Sequence, residues 1–553
     1  MARYDLVVEG MTCEHCAEKV RGALVDVDGV LEADVSLTKG QAQVQASGPT
    51  TVDALLEAVR EAGYRARPAG RDGPERPDDD RSAAKRLLLI LGGGSAAFAA
   101  AIRAADLGAR VTMIERGTIG GTCVNVGCVP SKTLIRAAEI HHHRAHHPFD
   151  GIPATDGRVD LGRLVAQKDE LVVRLRRERY RDVLAEYPSV ELVAGEARLT
   201  GSRSVAIQLG DGGNREVEAD RIVIATGSHP WTPPIEGLAE TPYWTNVEAL
   251  AAGEVPQRLL VVGGSAVGAE LAQMYARLGS RVTLLEALPT LVPNEDAELG
   301  RALAGYFADE GIEIHTGAAV RSVERRSEGV RLVAEVDGGE RAFEGDRLLV
   351  ATGRRANVDA LDLEATGVET DRKGFVIVDE SMETTSGGIF AAGDCTPHPQ
   401  FVYVAAKAGT IAAENAVGEG GARLDLSAMP AVTFTDPQVA SVGPTEERAR
   451  ERGEEVVART LAMEDVPRPL ANRDTRGMIK IVARESDGRI LAVHVLSPAA
   501  GEVIQTAVLA VKLGLSVGDL ADALFPYLTE VEGLKLAAQS FTREPAHLSC
   551  CAG

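Results

Sequence analysis

"RLLLILGGGSAAFAAAIRAADLGARVTMIER", residues 86–116, decides the fold. An apolar run ends at three glycines, an alanine-rich stretch follows, and a second apolar run closes on Glu115. A short apolar run before a turn reads as a strand buried on both faces, and the alanine-rich stretch as a helix packed on it. Strand, glycine turn, helix, strand and acid form the unit that holds a dinucleotide. Gly92, Gly94 and Ala97 let the backbone approach a pyrophosphate at the helix N-terminus, and Glu115 ends the strand where a carboxylate accepts ribose hydroxyls. The pattern recurs at 258–287, "RLLVVGGSAVGAELAQMYARLGSRVTLLEA", with Gly263, Ser265, Gly268 and Glu286 in corresponding places and serine replacing the middle glycine. Glu286 would pair with a free 2′-hydroxyl and repel a 2′-phosphate, and no arginine follows it at once. That favours NADH over NADPH.

The two blocks sit in a chain of 553 residues, long enough for several domains, whose 45 % hydrophobic and 25 % charged residues are ordinary for globular proteins. A formal net charge of -22 argues against a nucleic-acid partner and against stable association with anionic membranes. The N-terminus "MARYDLVVEG" carries charges where a signal peptide needs an apolar core, and no uninterrupted apolar run reaches transmembrane length. A cytoplasmic location is therefore expected, where close cysteines tend to be catalytic or metal-binding. Six of the seven fall in three pairs, Cys13 with Cys16, Cys123 with Cys128 and Cys550 with Cys551; Cys395 reads as buried packing.

Residues 1–67 read as a compact βαββαβ unit. The stretch 68–86 combines proline, glycine and charge with little to bury, the composition of a flexible linker. From Leu87 onward strands and helices alternate, the signature of an α/β fold. "IVIATGSHP" (222–230) and "LLVATGRRAN" (348–357) read as strand-to-turn returns between the two nucleotide folds, and Asp394 in "IFAAGDC" (389–395) as a strand-end carboxylate able to bind a sugar hydroxyl.

"GGTCVNVGCVPSK" (120–132) places Cys123 and Cys128 at the start of a helix. C-x4-C suits a metal half-site, but no second Cys or His pair follows at zinc spacing. A helix N-terminus stabilises a thiolate, which suits a dithiol that is oxidised and reduced. This motif, the two nucleotide blocks, both ATG segments and "AAGDC" together resemble the flavin disulfide oxidoreductases over nearly everything from Leu87 to the end. The resemblance implies FAD held at Gly92, Gly94, Ala97, Glu115, Gly117, Thr122, Lys132, Ala197, Asp394 and Val402. It implies Cys128 facing the flavin, Cys123 exchanging with substrate, and Glu270 pairing with Lys132. It also implies two Rossmann-like domains, the FAD domain in two parts (87–235 and 349–424) around an NAD(P)H domain (236–348). A C-terminal α+β dimerisation domain (425–553) follows, so the protein would be a homodimer with its site shared between subunits.

Relatives that reduce disulfides carry a His-Pro near the C-terminus; this chain reads "LFPYLTEVEG" (524–533), with Phe525 in that place and Tyr527 two residues on. Phenylalanine cannot move a proton. "GMTCEHC" (10–16) in a ferredoxin-like βαββαβ unit resembles the heavy-metal-associated domain, and two thiolates suit a soft ion content with two sulfur ligands. "LSCCAG" (548–553), "QFVYVAAKAG" (400–409) and "TPYWTNVEAL" (241–250) resemble the mercuric reductase branch. That branch implies NADPH or NADH as electron source, FAD, and Hg(II) as substrate, reduced to volatile Hg(0). Hg(II) would pass from Cys13 and Cys16 to Cys550 and Cys551 of the partner subunit, then to Cys123 and Cys128. Tyr243 and Tyr527 resemble the branch's active-site tyrosines, beside the plainer reading of core aromatics. Dihydrolipoamide dehydrogenase-like chemistry with a metal-binding extension, or a metal chaperone with an idle flavin half, are the rival readings. The run "HHHRAHH" (141–147) reads as a solvated helix face.

Overall fold

The chain divides into two units, Met1–Ala84 and Lys85–Gly553. A computed structural model describes residues 2–9, 14–37, 41–47, 50–62, 64–68, 86–155 and 157–543. Cys13, the stretch 69–85 read as a linker, and the tail with Cys550 and Cys551 lie outside the described residues.

In the first unit β1 (Ala2–Glu9), α1 (Glu14–Val25), β2 (Val30–Ser36), β3 (Gln41–Ala46), α2 (Val52–Glu61) and β4 (Arg65–Pro68) follow in order. Their sheet runs β2-β3-β1-β4. Alternation drives it: Ala42, Val44 and Ala46 of β3 are buried while the glutamines between them face out. Leu6, Val20, Leu24, Leu55 and Val59 from the other elements complete the core. The helix read as following Cys16 in fact begins at Glu14, so Cys16 lies in its first turn, half-buried.

In the second unit the run Leu87–Leu91 becomes β5, paired in parallel with β6 (Arg110–Glu115) and β10 (Arg221–Ile224). The seven-stranded sheet runs Ile389–Ala391, β10, β5, β6, β7 (Val190–Gly201), β8 (Ser204–Leu209), β9 (Asn214–Glu218). Between β5 and β6, α3 (Ser95–Asp106) buries Ala96, Ala97, Ala100, Ala101 and Ala104 on one helical face. Small side chains there let the helix Val402–Val417 approach closely. A Cβ added at Gly409 would stand 2.1 Å from the Ala96 carbonyl oxygen. Gly409→Val should therefore lever the two helices apart and destabilise this unit by about 1–3 kcal/mol. An unchanged urea midpoint for its unfolding would contradict that packing account.

The second glycine block builds a parallel four-stranded sheet in the order Glu313–Thr316, Arg281–Glu286, Arg258–Val262, Arg347–Val350. The C-terminal part is a five-stranded antiparallel sheet backed by the helix Ala500–Leu513, whose Val503, Ile504 and Ala507 enter its core. Among the described residues no helix is long and apolar enough to cross a membrane.

Candidate functional site

Cys123 lies in the short helix α4 (Gly121–Asn125), and Cys128 is the first residue of the 18-residue α5 (Cys128–Ala145). The turn between them is clamped from both sides. Asn125 Nδ2 donates to the carbonyls of Ile119 and Gly121 (3.1 and 2.9 Å) and its Oδ1 accepts from Arg176 Nε at 2.9 Å, while Asn246 Nδ2 donates to Val126 O at 2.7 Å. Both sulfurs are free thiols.

The two thiols are not equivalent. Cys123 donates a hydrogen bond to the Cys128 sulfur, which, with burial and the negative charge of Cys128, holds the Cys123 proton far above the usual thiol range. The same bond, reinforced by the Lys132 cation and opposed by burial, brings Cys128 down to about 7. Gly127 caps α5 without a side chain, so first-turn N–H groups are left without a side-chain cap beside this sulfur, where a helix end favours negative charge. The pair thus gives up its first proton at about 7, and the thiolate so formed sits on Cys128.

Lys132 stands one turn along α5. Its Nζ is 2.7 Å from Glu270 Oε2 and 4.7 Å from the centre of the Phe434 ring. Glu270 is nearly buried, its side chain 6 % exposed, and its other oxygen accepts the Phe434 N–H at 2.8 Å. A carboxylate so placed fixes the lysine and moderates its field.

The first glycine turn meets the start of α4 as bare backbone: Gly121 has φ +62°, and a Cβ on it would fall 2.6 Å from the Gly94 Cα. Thr226 in the first ATG return has a buried hydroxyl with no partner among the described residues. Glu115 accepts the Gly117 N–H at 2.6 Å, Ala97 is on the buried face of α3, Ala197 is buried on β7, and Thr122 precedes Cys123. Asp394 follows the strand Ile389–Ala391, and Val402, part-exposed, opens the helix Val402–Val417. Burial raises the Asp394 carboxyl above the ordinary range, against the pull of Arg354 and the Ser228 hydroxyl. Bare backbone at the first glycine turn, an orphaned hydroxyl and two acids that close or follow strands of the sheet fit FAD.

In the second block, a Cβ on Gly268 would lie 1.8 Å from the Gly263 carbonyl oxygen, so only glycine allows that helix to start there. Ser265 is its N-cap. Glu286 accepts the N–H groups of Gly264 (2.6 Å) and Leu288 (2.8 Å).

The structure brings Cys123, Cys128, Lys132 and Glu270 together. Tyr243 packs against the core of the second nucleotide fold, with its hydroxyl 2.6 Å from that of Thr232. Tyr527 is 59 % exposed, and Phe525 packs against the core of the C-terminal domain. Cys395 is fully buried, its thiol donating to the Ile224 and Ala392 carbonyls. In the histidine run, His142 and His146 stack with ring centres 4.3 Å apart, and burial holds His142 down at about 4, hence neutral. No group of three or more ligating side chains among the described residues is arranged for a metal ion.

Three contributors escape the motif reading. Phe434 faces Lys132 from 302 residues away along the chain (434 − 132). Tyr180 meets Phe98 edge-on at 4.7 Å, and burial with the negative field of the cysteines raises its hydroxyl pKa. Arg354 donates to Ser228 Oγ at 2.8 Å, which in turn donates to Asp394. Phe434 and Tyr180 lie in no quoted motif, and Arg354, though inside the 348–357 return, carries no role in that reading.

Three family profiles match the chain: pyridine nucleotide-disulphide oxidoreductase at residues 87–409, the dimerisation domain of that family at 429–538, and the heavy-metal-associated domain at 6–65. A mercuric reductase from Acidithiobacillus ferrooxidans is 50 % identical over 99 % of this chain and 99 % of its own length. One from Shigella flexneri is 49 % identical over 99 % of this chain and all of its own. Among solved structures, the Cu(II) complex of an HOCl-induced flavoprotein disulfide reductase from Escherichia coli superposes with a TM-score of 0.74, at 30 % identity, over 83 % of this chain and all of that one.

Proposed function

The chain belongs to the mercuric reductases of the pyridine nucleotide-disulphide oxidoreductase family, and from that premise we infer that it reduces thiol-bound Hg(II) to Hg(0) with electrons from NAD(P)H. The observation that carries the reading in this chain's own residues is the unequal dithiol. Cys128 becomes a thiolate as pH rises through about 7, while Cys123 holds its proton.

FAD, when bound, takes two electrons from the nicotinamide and makes them available at the cysteine pair. Gly94, Gly121 and Glu115 would hold its adenine-nucleotide half and Asp394 its sugar-alcohol chain. Everything else is done by side chains. A thiolate attacks Hg(II) without prior deprotonation, so Cys128 captures the ion from an external thiolate and Cys123, on losing its proton to the departing thiolate, becomes the second ligand. Lys132 balances the negative charge that two thiolates bring, and Glu270 keeps it in place. The electrons balance: reduced nicotinamide gives up two, and Hg(II) takes two to become Hg(0). Phe525 offers no proton to a leaving organic thiol, so the electrons go to metal.

The ion is delivered by exchange between sulfurs: from Cys13 and Cys16 to Cys550 and Cys551 of the partner subunit, and on to Cys123 and Cys128. The site is accordingly shared across a homodimer, Tyr243 and Tyr527 steady the ligated ion through their hydroxyls, and the protein works in the cytoplasm. The match of a dimerisation domain at 429–538 supports the pairing of subunits. Replacing Cys550 and Cys551 together by alanine should slow turnover on Hg(II) held by excess thiol by about tenfold or more, with flavin absorbance retained. Unaltered turnover would remove the tail from the route. The reading as a whole is tested by comparing Hg(II)-dependent nicotinamide oxidation with lipoamide reduction: the first should be brisk, the second negligible, and the reverse would reinstate a disulfide reductase.

A further inference from the structure

We propose that Glu286 makes this protein an NADH enzyme, by excluding the 2′-phosphate of NADPH from the second nucleotide fold. The proposal rests on that fold being the nicotinamide site. Both nucleotide folds end their second strand on a glutamate whose carboxylate turns back to its own loop: Glu115 accepts the Gly117 N–H, and Glu286 accepts those of Leu288 and Gly264. The first fold's ligand, FAD, has an adenosine ribose with an unphosphorylated 2′-hydroxyl. The second fold repeats the same device and should read the same sugar.

The surroundings of Glu286 leave a phosphate nothing to bind. The carboxylate is 7 % exposed and held through both oxygens at 2.6 and 2.8 Å, so it is not free to swing aside. The turn after it, "ALPTLVP" (287–293), contains no lysine or arginine. That turn is pinned back on the glycine loop: Val292 N–H donates to Gly264 O at 2.9 Å, and Leu291 is fully buried against it. The exposed residues that follow Glu286 in this turn are Ala287, Leu288 and Pro289. A phosphate carrying nearly two negative charges would meet a fixed carboxylate and an apolar rim, whereas a hydroxyl donates to that carboxylate.

The test is equilibrium binding of the oxidised nicotinamides to the FAD-loaded enzyme by titration calorimetry, with no mercury present. The native protein should bind NAD+ at least about thirtyfold more tightly than NADP+, with 5′-AMP preferred over 2′,5′-ADP in the same sense. Glu286→Gln keeps one oxygen acceptor and removes the charge; it should narrow the gap by tightening NADP+. Ala287→Arg leaves the bonds of Glu286 untouched and should also improve NADP+ binding. A purely structural glutamate would, on conversion to glutamine, weaken both nucleotides alike. That result, or native binding of NADP+ as tight as NAD+, overturns the proposal. Because the titration contains no Hg(II), a protein that prefers NAD+ but reduces no mercury would sink the functional reading and leave this one standing.

Discussion

Cys128→Ser should lower Hg(II) turnover at least about a thousandfold, some 4 kcal/mol in the barrier, while flavin absorbance is retained. Serine preserves the shape at the head of α5 but is neither an anion at neutral pH nor a soft ligand, so capture of the ion and its second coordination both fail. Cys123→Ala should be as severe in turnover and different in titration. The native dithiol, reduced and treated with iodoacetamide, should react faster as pH rises through about 7, because Cys128 loses its proton there. With Cys123 replaced by alanine, the hydrogen bond that contributes most to that low value is removed, and the titration of Cys128 should move upward. An alkylation profile unaffected by Cys123→Ala would contradict the proton-sharing account.

The second large effect is on the ion pair beside the dithiol. Glu270→Leu removes the only carboxylate bonded to Lys132 among the described residues and strands the Phe434 N–H, leaving a part-buried cation and an orphaned donor. Breaking such a pair from one side destabilises by about 3 kcal/mol. The urea midpoint should fall accordingly. Glu270 raises the Cys128 pKa and Lys132 lowers it, so Glu270→Leu should shift the thiol titration down and Lys132→Met should shift it up. Opposite shifts from two partners of one ion pair are not expected if either residue only supports packing. Shifts of the same sign would count against the electrostatic role.

The glycine turns were legible because their constraint is local: a strand, a tight turn and a helix start must follow one another within a dozen residues, and the approach of Gly268 to the Gly263 carbonyl leaves no room for a side chain. The βαββαβ unit was legible through alternation, as in β3, although the start of α1 was misplaced by three residues (17 − 14) because nothing in "TCEHC" marks the start decisively. The spacing of Cys123 and Cys128, with no second ligand pair at zinc spacing, already pointed to a redox dithiol; which of the two carries the thiolate shows only in the folded chain. Phe434 and Tyr180 were not legible at all, and Arg354 lay inside the quoted 348–357 return without a role assigned to it. Each contributes through a contact made across the fold, Arg354 to Ser228 over 126 residues for example, and no local pattern marks them. The place of Glu286 at the end of its strand was legible from spacing, but its immobility depends on the Gly264 N–H, which only the folded turn brings to it.

The central claim is that electrons leaving Cys123 and Cys128 end on a sulfur-held heavy ion. It is tested most directly by sealing purified enzyme with FAD, NADH, mercuric salt and excess thiol, and sweeping the headspace into a mercury-vapour detector. One atom of Hg(0) should appear per NADH oxidised, and none with Cys128→Ser. Nicotinamide oxidation without vapour would contradict the account.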